Sequence, residues 1–364
     1  MILTTDPDHD TGRGRRATAA PAQRCWTTVA LFCGSVLVLA VSIVLGTFVG
    51  TANISILDVV STIARHCGLG FLAPRPALPP LLDSLVWQSR VPRVLLAAVV
   101  GAGLAVCGVV LQAITRNPLA EPYLLGVSSG ASTGAVTVLV LGVGGGSLAL
   151  STGAFAGAVL AFSVVLILIG GGTVANPTRV VLTGVLVAQF FSAVTSFILM
   201  VSGDANSTRG FTYWLLGSVS GARWQPLLLA AAIAVAGIVV CQLFAPALDA
   251  FTFGSDAAAA LGIAVFRARI CLLVTTALIT AAVVAASGAI GFIGLLVPHV
   301  VRILTGSLHR VLLPVSVLLG ASFLIWADAL ARTAFAPNEV PVGVVTALLG
   351  APAFALVLRR TGTR

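Results

Sequence analysis

Residues 115–122, Thr-Arg-Asn-Pro-Leu-Ala-Glu-Pro, separate two apolar runs, 95–114 and 123–141. A bilayer-spanning helix cannot carry an arginine, a glutamate and two prolines in its lipid-facing middle without large cost. The segment is therefore a tight turn at a membrane surface, or irregular backbone buried where protein or water satisfies it. In either case the chain holds a specified polar structure between two spanning helices.

Composition sets the class. Hydrophobic residues make up 58% of the chain and charged residues 9%, with a mean hydropathy of +1.10; a soluble domain carries roughly 25% charged residues. The 364 residues hold about ten spans of ~20 residues plus short loops. The apolar runs are continuous rather than alternating, which argues against a β-barrel. The expected fold class is an all-α, polytopic membrane protein with about ten transmembrane helices.

The pattern places spans near 26–50, 94–114, 123–141, 150–169, 180–201, 225–245, 270–286, 290–303, 312–329 and 342–358. Residues 1–24 read as a polar, disordered tail, 25–360 as a single transmembrane domain with a loop at about 246–268, and 361–364 as a second tail. The run 26–50 is too long for a signal-peptide core. In the loop 51–89, residues 56–67 are expected to form a short surface helix. With the first residue inside, thirteen arginines fall on the cytoplasmic side and seven outside, so both termini are expected to be cytoplasmic.

All twenty basic residues are arginine and none is lysine. A phosphate-binding P-loop needs its lysine, so ATP-driven work would require a separate subunit. The net charge of +9 arises in short inter-helix loops and does not point to nucleic acid. The six cysteines, Cys25, Cys33, Cys67, Cys107, Cys241 and Cys271, form no CxxC pair and read as small hydrophobes. No nucleophile–base pair or zinc spacing is present, so no catalytic residue, metal site or cofactor is expected. His299 reads as structural, and Glu121 and Glu339, beside prolines at span ends, as loop ties.

Five motifs occur in order: Arg90-Val91-Pro92-Arg93, Arg116-Asn117-Pro118-Leu119-Ala120-Glu121-Pro122, and Leu125-Gly126-Val127-Ser128-Ser129-Gly130-Ala131. They continue with Gly291-Phe292-Ile293-Gly294-Leu295-Leu296-Val297-Pro298-His299-Val300-Val301-Arg302 and Glu339-Val340-Pro341-Val342-Gly343-Val344-Val345-Thr346-Ala347-Leu348-Leu349-Gly350-Ala351-Pro352. From about residue 43 to 360 the chain resembles the FecCD family, permeases of bacterial ABC importers for iron–siderophores, haem and vitamin B12. The resemblance implies a type II ABC importer permease fold of ten helices. It also implies a second permease subunit (a homodimer or heterodimer), two cytoplasmic ATPase subunits and an extracytoplasmic substrate-binding protein. The chain would then sit in the cell membrane against lipid. An Ala/Val/Gly-rich, lysine-free composition suggests a high-GC bacterium and favours ferric siderophore as cargo, with haem or cobalamin as the alternative. An ion-gradient-driven secondary transporter is the rival of another class, and would call for membrane-embedded carboxylates.

Site residues carried by the resemblance fall into three groups. Arg90, Arg93 and Arg332 would dock the binding protein, with anchoring of span 2 the alternative for Arg90 and Arg93. For Arg332 the alternative is an intrahelical pair with Asp328. Asn117 and Leu119, with Asn176, Pro177 and Thr178, would form a cytoplasmic gate; a helix-end cap is the other reading of Asn117. Gly254, Ser255, Asp256, Ala258, Leu261 and Gly262 would form the helix that couples to the ATPase, with Ser255 and Asp256 capping it. Span 5, the segment 211–221 and parts of spans 3 and 10 would line the pathway.

Overall fold

Long apolar runs in lipid must satisfy their backbone groups internally, and helix is the only local way to do so. A computed structural model describes residues 21–50, 54–142, 147–170, 177–334 and 338–361, and among these no strand occurs. The helices are α1 (Pro21–Phe48), α2 (Ile56–His66), α3 (Pro80–Ser84), α4 (Val91–Thr115), α5 (Val127–Leu141), α6 (Ser147–Ile169), α7 (Pro177–Ser202) and α8 (Ala205–Leu215). They continue as α9 (Trp224–Leu243), α10 (Ala245–Thr252), α11 (Ser255–Ala260), α12 (Val265–Ser287), α13 (Ile293–Thr305), α14 (His309–Thr333) and α15 (Val342–Thr361). Seven described helices are long and apolar enough to cross a membrane, and three shorter apolar ones, within α5, α13 and α15, complete the ten expected positions.

Boundaries differ from the sequence reading in physically simple ways. Span 2 does not begin near Val94: a π-helical stretch, Leu85–Arg90, joins α3 to α4 in one run from Pro80 to Thr115. Pro80 starts that run at a first-turn position, where its missing N–H costs nothing. Span 3 starts late because Pro122–Leu125 forms a 3₁₀ turn closed by Gly126 at φ 73°, a conformation glycine adopts freely. The expected surface helix is α2, started by a reciprocal pair: Ser55 Oγ accepts from the Asp58 amide and Asp58 accepts from the Ser55 amide.

Small residues set the packing. Helices in lipid associate through close contact rather than hydrophobic drive. α4 crosses α14 where Gly101 meets Gly320; a Cβ on Gly320 would sit 2.6 Å from the Gly101 carbonyl oxygen. A second crossing pairs Gly130 and Gly134 of α5 with Gly153 and Gly157 of α6. Together with α12, α4 forms the buried centre, with Leu104, Val106, Leu272 and Ile279 almost fully enclosed. α1, α7 and α9 lie outside and present Leu37, Leu186, Phe190 and Val235 outward.

Three helices carry an internal proline, Pro352 of α15 among them, and in α13 and α14 the break is repaired from a neighbour. Pro298 in α13 cannot bond the Gly294 carbonyl four residues back; the Gln112 amide of α4 donates to it at 3.0 Å. Pro314 in α14 leaves the Arg310 carbonyl in the same position, and Gln242 of α9 donates to it at 3.2 Å. Gln112 also accepts from Arg302 of α13 at 2.6 Å.

Candidate functional site

At one end of the bundle, α1 finishes and leaves last-turn carbonyls without intrahelical donors. Two guanidiniums supply them. Arg332 of α14 donates to Val49 at 2.8 Å and to Gly46 at 3.0 Å, and Arg90 donates to Phe48 at 3.0 Å and to Thr47 at 3.4 Å. Arg93, one turn further along α4, lies side-on to Asp328, with Nε 3.1 Å from both carboxylate oxygens and Nη2 2.9 Å from Oδ1. Its Nη1 reaches Glu339 at 2.9 Å. Asp328 is shared, because Arg332 Nε lies 3.1 Å from its other oxygen.

The three predicted arginines thus converge, together with two acids. Three guanidiniums against two carboxylates leave a surplus of one positive charge. They line a cavity of about 330 Å³ with Ser89, Thr333 and Glu339. The intrahelical pair considered for Arg332 is present, and Glu339 ties its loop to α4 as expected. All three arginines are buried, so their charge is presented through the cavity rather than on extended side chains.

At the opposite end, the eight-residue break is a built turn. Arg116 ends α4 in the left-handed region at φ 49°, and the Asn117 amide donates back to the Gln112 carbonyl at 3.3 Å. Asn117 Oδ1 then accepts from the Leu119 amide at 2.9 Å, an Asx turn that fixes the direction of the chain. The cap position of α4 is held by Arg116 rather than Asn117, whose side chain bonds forward to Leu119, and Leu119 stands exposed. Glu121 turns inward and accepts from the Phe292 amide at 3.0 Å. Burial pushes its carboxyl above the usual range, and the Phe292 hydrogen bond pulls it partly back. Tyr123 both donates to and accepts from the backbone of Ile290, at 2.7 and 2.8 Å. Of the second loop expected to form a gate, Asn176 lies outside the described residues. Pro177 opens α7, and Thr178 in its first turn is exposed.

On the same side as this turn, α10 and α11 form a hairpin. Gly254 at φ 107° and Gly262 at φ 81° bracket α11, conformations that a Cβ would strain. Ala258 is buried, whereas Phe253 and Leu261 protrude. The expected caps are corrected: Gly254 occupies the N-cap position with no side-chain bond, and Ser255 Oγ instead accepts from Arg269 of α12 at 3.2 Å. Asp256 sits in the first turn, where a negative charge suits the helix dipole.

Sequence reasoning did not single out Gln112, Asp249 or His309. Asp249 of α10 lies 2.7 Å from His309 Nδ1 of α14 and accepts from its backbone amide at 2.9 Å. These partners stand 60 residues apart, and a single histidine at the start of an apolar run gives no local signal. His299 is half-buried in α13. Among the described residues no group of three or more His, Cys, Asp or Glu is placed to hold a metal.

Among the described residues, seven helices long and apolar enough to cross a membrane, with three shorter apolar ones, define a multi-pass membrane protein. The FecCD transport family matches residues 38–360. The chain belongs to this family, and it is an ABC importer permease. It is 42% identical over 305 residues to the cobalamin import system permease protein BtuC of Halobacterium salinarum, covering 82% of this chain and 78% of the relative. It is 41% identical over 286 residues to the hemin transport system permease protein HmuU of Yersinia pestis, covering 77% and 85%. A solved structure described as an inward-facing conformation of a metal-chelate type ABC transporter superposes with a TM-score of 0.79 at 28% identity, covering 91% of this chain and 99% of that one.

Proposed function

We propose that this permease takes up a ferric siderophore across the cytoplasmic membrane, with both termini cytoplasmic. It would receive cargo from an external binding protein and be driven by two separate ATPase subunits. The observation that carries the reading is the convergence of Arg90, Arg93 and Arg332 on one cavity at the end of the bundle opposite the α10–α11 hairpin. A cationic cavity suits the acidic side chains of a binding protein, and a set of such contacts governs orientation and on-rate more than affinity. The protruding Phe253 and Leu261 suit a cleft on an ATPase, with buried Ala258 holding α11 in place. Asn117, Leu119, Thr178 and the loop before α7 would close the pathway on that side, and exposed residues of α7 would line it between two permease subunits. Transport would follow alternating access, each ATP cycle re-packing the two subunits about the pathway.

Two observations bear on the alternatives. Asp328, the acid best placed in a span to serve an ion gradient, is locked between two guanidiniums, which disfavours the secondary-transporter reading. Relatives named for cobalamin and for hemin keep those chelates as the second reading of the cargo. The deciding experiment reconstitutes the chain with its ATPase and binding protein in proteoliposomes and measures uptake of ferric siderophore, haem and cobalamin. Import of the siderophore alone, abolished by a hydrolysis-dead ATPase and indifferent to ionophores, is the expected result. Import that survives the dead ATPase and collapses with an ionophore overturns the importer mechanism, and preferred uptake of haem or cobalamin overturns only the cargo.

A further inference from the structure

α14 contains 25 residues, about 37 Å of helix, and it is gripped at both ends. At one end Asp328 and Arg332 belong to the arginine cluster. At the other, a single oxygen of Asp249 receives both the His309 amide and His309 Nδ1. A carboxylate can only accept, so Nδ1 carries the hydrogen. The amide would otherwise be an orphan of the helix N-terminus, where a negative charge is also favoured by the dipole. The His309 side chain is 3% exposed, and its Nε2 has no partner among the described residues. Asp249 is therefore the one hydrogen-bonding contact shown for that ring.

Between its ends α14 has little slack. Gly320 sits against Gly101 of α4, and the proline break at Pro314 is bridged by Gln242. α4 runs antiparallel beside it with the same two termini: Arg93 lies in the cluster, and Arg116 lies 3.4 Å from where a Cβ on Gly254 would stand. A close-packed pair of this kind shifts as a body rather than deforming along its length.

We propose that His309, held by Asp249, is a positioning residue that links the α10–α11 hairpin to the α4–α14 pair, so that occupation of the arginine cavity moves the hairpin. The inference rests on the importer reading above and deepens it: the two sides of the membrane would be coupled within one subunit through α14. His309 would touch neither cargo nor nucleotide.

The test uses the full assembly in proteoliposomes, reading ATP hydrolysis with and without saturating cargo-loaded binding protein, and binding-protein affinity separately. His309→Leu and His309→Gln both remove the Nδ1 donor. Each is expected to cut the stimulation by binding protein at least fivefold, with unstimulated hydrolysis and binding-protein affinity within twofold of wild type. His309→Asn, whose amide nitrogen can take the place of Nδ1, is expected to keep at least half the stimulation. Full stimulation in both the leucine and glutamine variants overturns the proposal, as does failure of both to assemble, which would make the contact one of folding only. Equal loss in the asparagine variant also overturns it. A wild-type assembly that no binding protein stimulates overturns the importer reading itself, and the link through α14 with it.

Discussion

The side-chain amide of Gln112 on α4 donates to the carbonyl of Gly294 on α13, the oxygen that Pro298 leaves without its helical partner. The same glutamine accepts from Arg302 at 2.6 Å. One residue thus mends a helix break and neutralises the need of a neighbouring cation for an acceptor.

Gln112 is buried, so losing it strands two polar groups. Gln112→Leu is expected to lower stability by about 2–6 kcal/mol, since each unsatisfied buried group costs about 1–3 kcal/mol. Gln112→Glu keeps the acceptor for Arg302 and loses only the donor to Gly294, so its loss should be about half as large. Thermal unfolding of the purified protein in detergent measures both, and equal midpoints for the two variants would contradict the double role.

Asp328 serves Arg93 and Arg332 together. Removing one member of a buried ion pair costs about 3–5 kcal/mol because a charge is left uncompensated. Asp328→Ala should fall in that range, and binding-protein affinity should drop with it as Arg93 and Arg332 repel. Asp328→Ala combined with Arg93→Met should recover part of the stability without recovering docking. Thermal midpoints and a binding-protein titration separate the two effects.

The Asx turn at Asn117 lies at an exposed site, where a lost hydrogen bond costs only about 0.5–1.5 kcal/mol. Asn117→Ala and Leu119→Ala are accordingly expected to assemble normally. If they form part of the inner gate, passive leak of cargo from loaded vesicles should rise severalfold in both, or the ratio of ATP hydrolysed to cargo moved should rise. Variants that assemble with unaltered leak and coupling would reduce the segment to a simple turn.

Burial raises the Glu121 carboxyl in the folded protein. An acid whose folded pKa lies above its unfolded value binds its proton more tightly when folded. Its contribution to stability is therefore present below the usual glutamate range, near 4.3, and is lost as pH rises through the folded value. Glu121→Gln keeps an acceptor for the Phe292 amide and removes that slope. Thermal midpoints measured from pH 4 to 8 should fall with pH in the wild type and fall less in the variant; parallel profiles would refute the assignment.

Much of the architecture was legible because its signal is local. Ten apolar runs gave ten helices near the expected positions, and the five motifs carried the family. The helix ends were less legible. Nothing in residues 84–93 announces a π-helical junction, since that choice depends on what α4 packs against. The three arginines could be named from the resemblance, but the sharing of Asp328 by Arg93 and Arg332 brings together residues 235 apart in sequence. The capping role given to Ser255 failed for a similar reason, because Arg269 from another helix claimed its hydroxyl. Both proline repairs depend on glutamines from other helices, and spacing along the chain cannot reveal them.

α1 is largely exposed over Thr28–Phe48, yet its last turn is seized by Arg90 and Arg332, and Trp326 bonds Ser42 one turn or so before. Its last turn is stepped into the arginine cluster like the foot of a mast. Any shift of the two guanidiniums must carry that foot along, and with it a helix long enough to cross the bilayer. A spectroscopic label on exposed Val29 would therefore report a displacement of the arginine cavity from the other side of the bilayer.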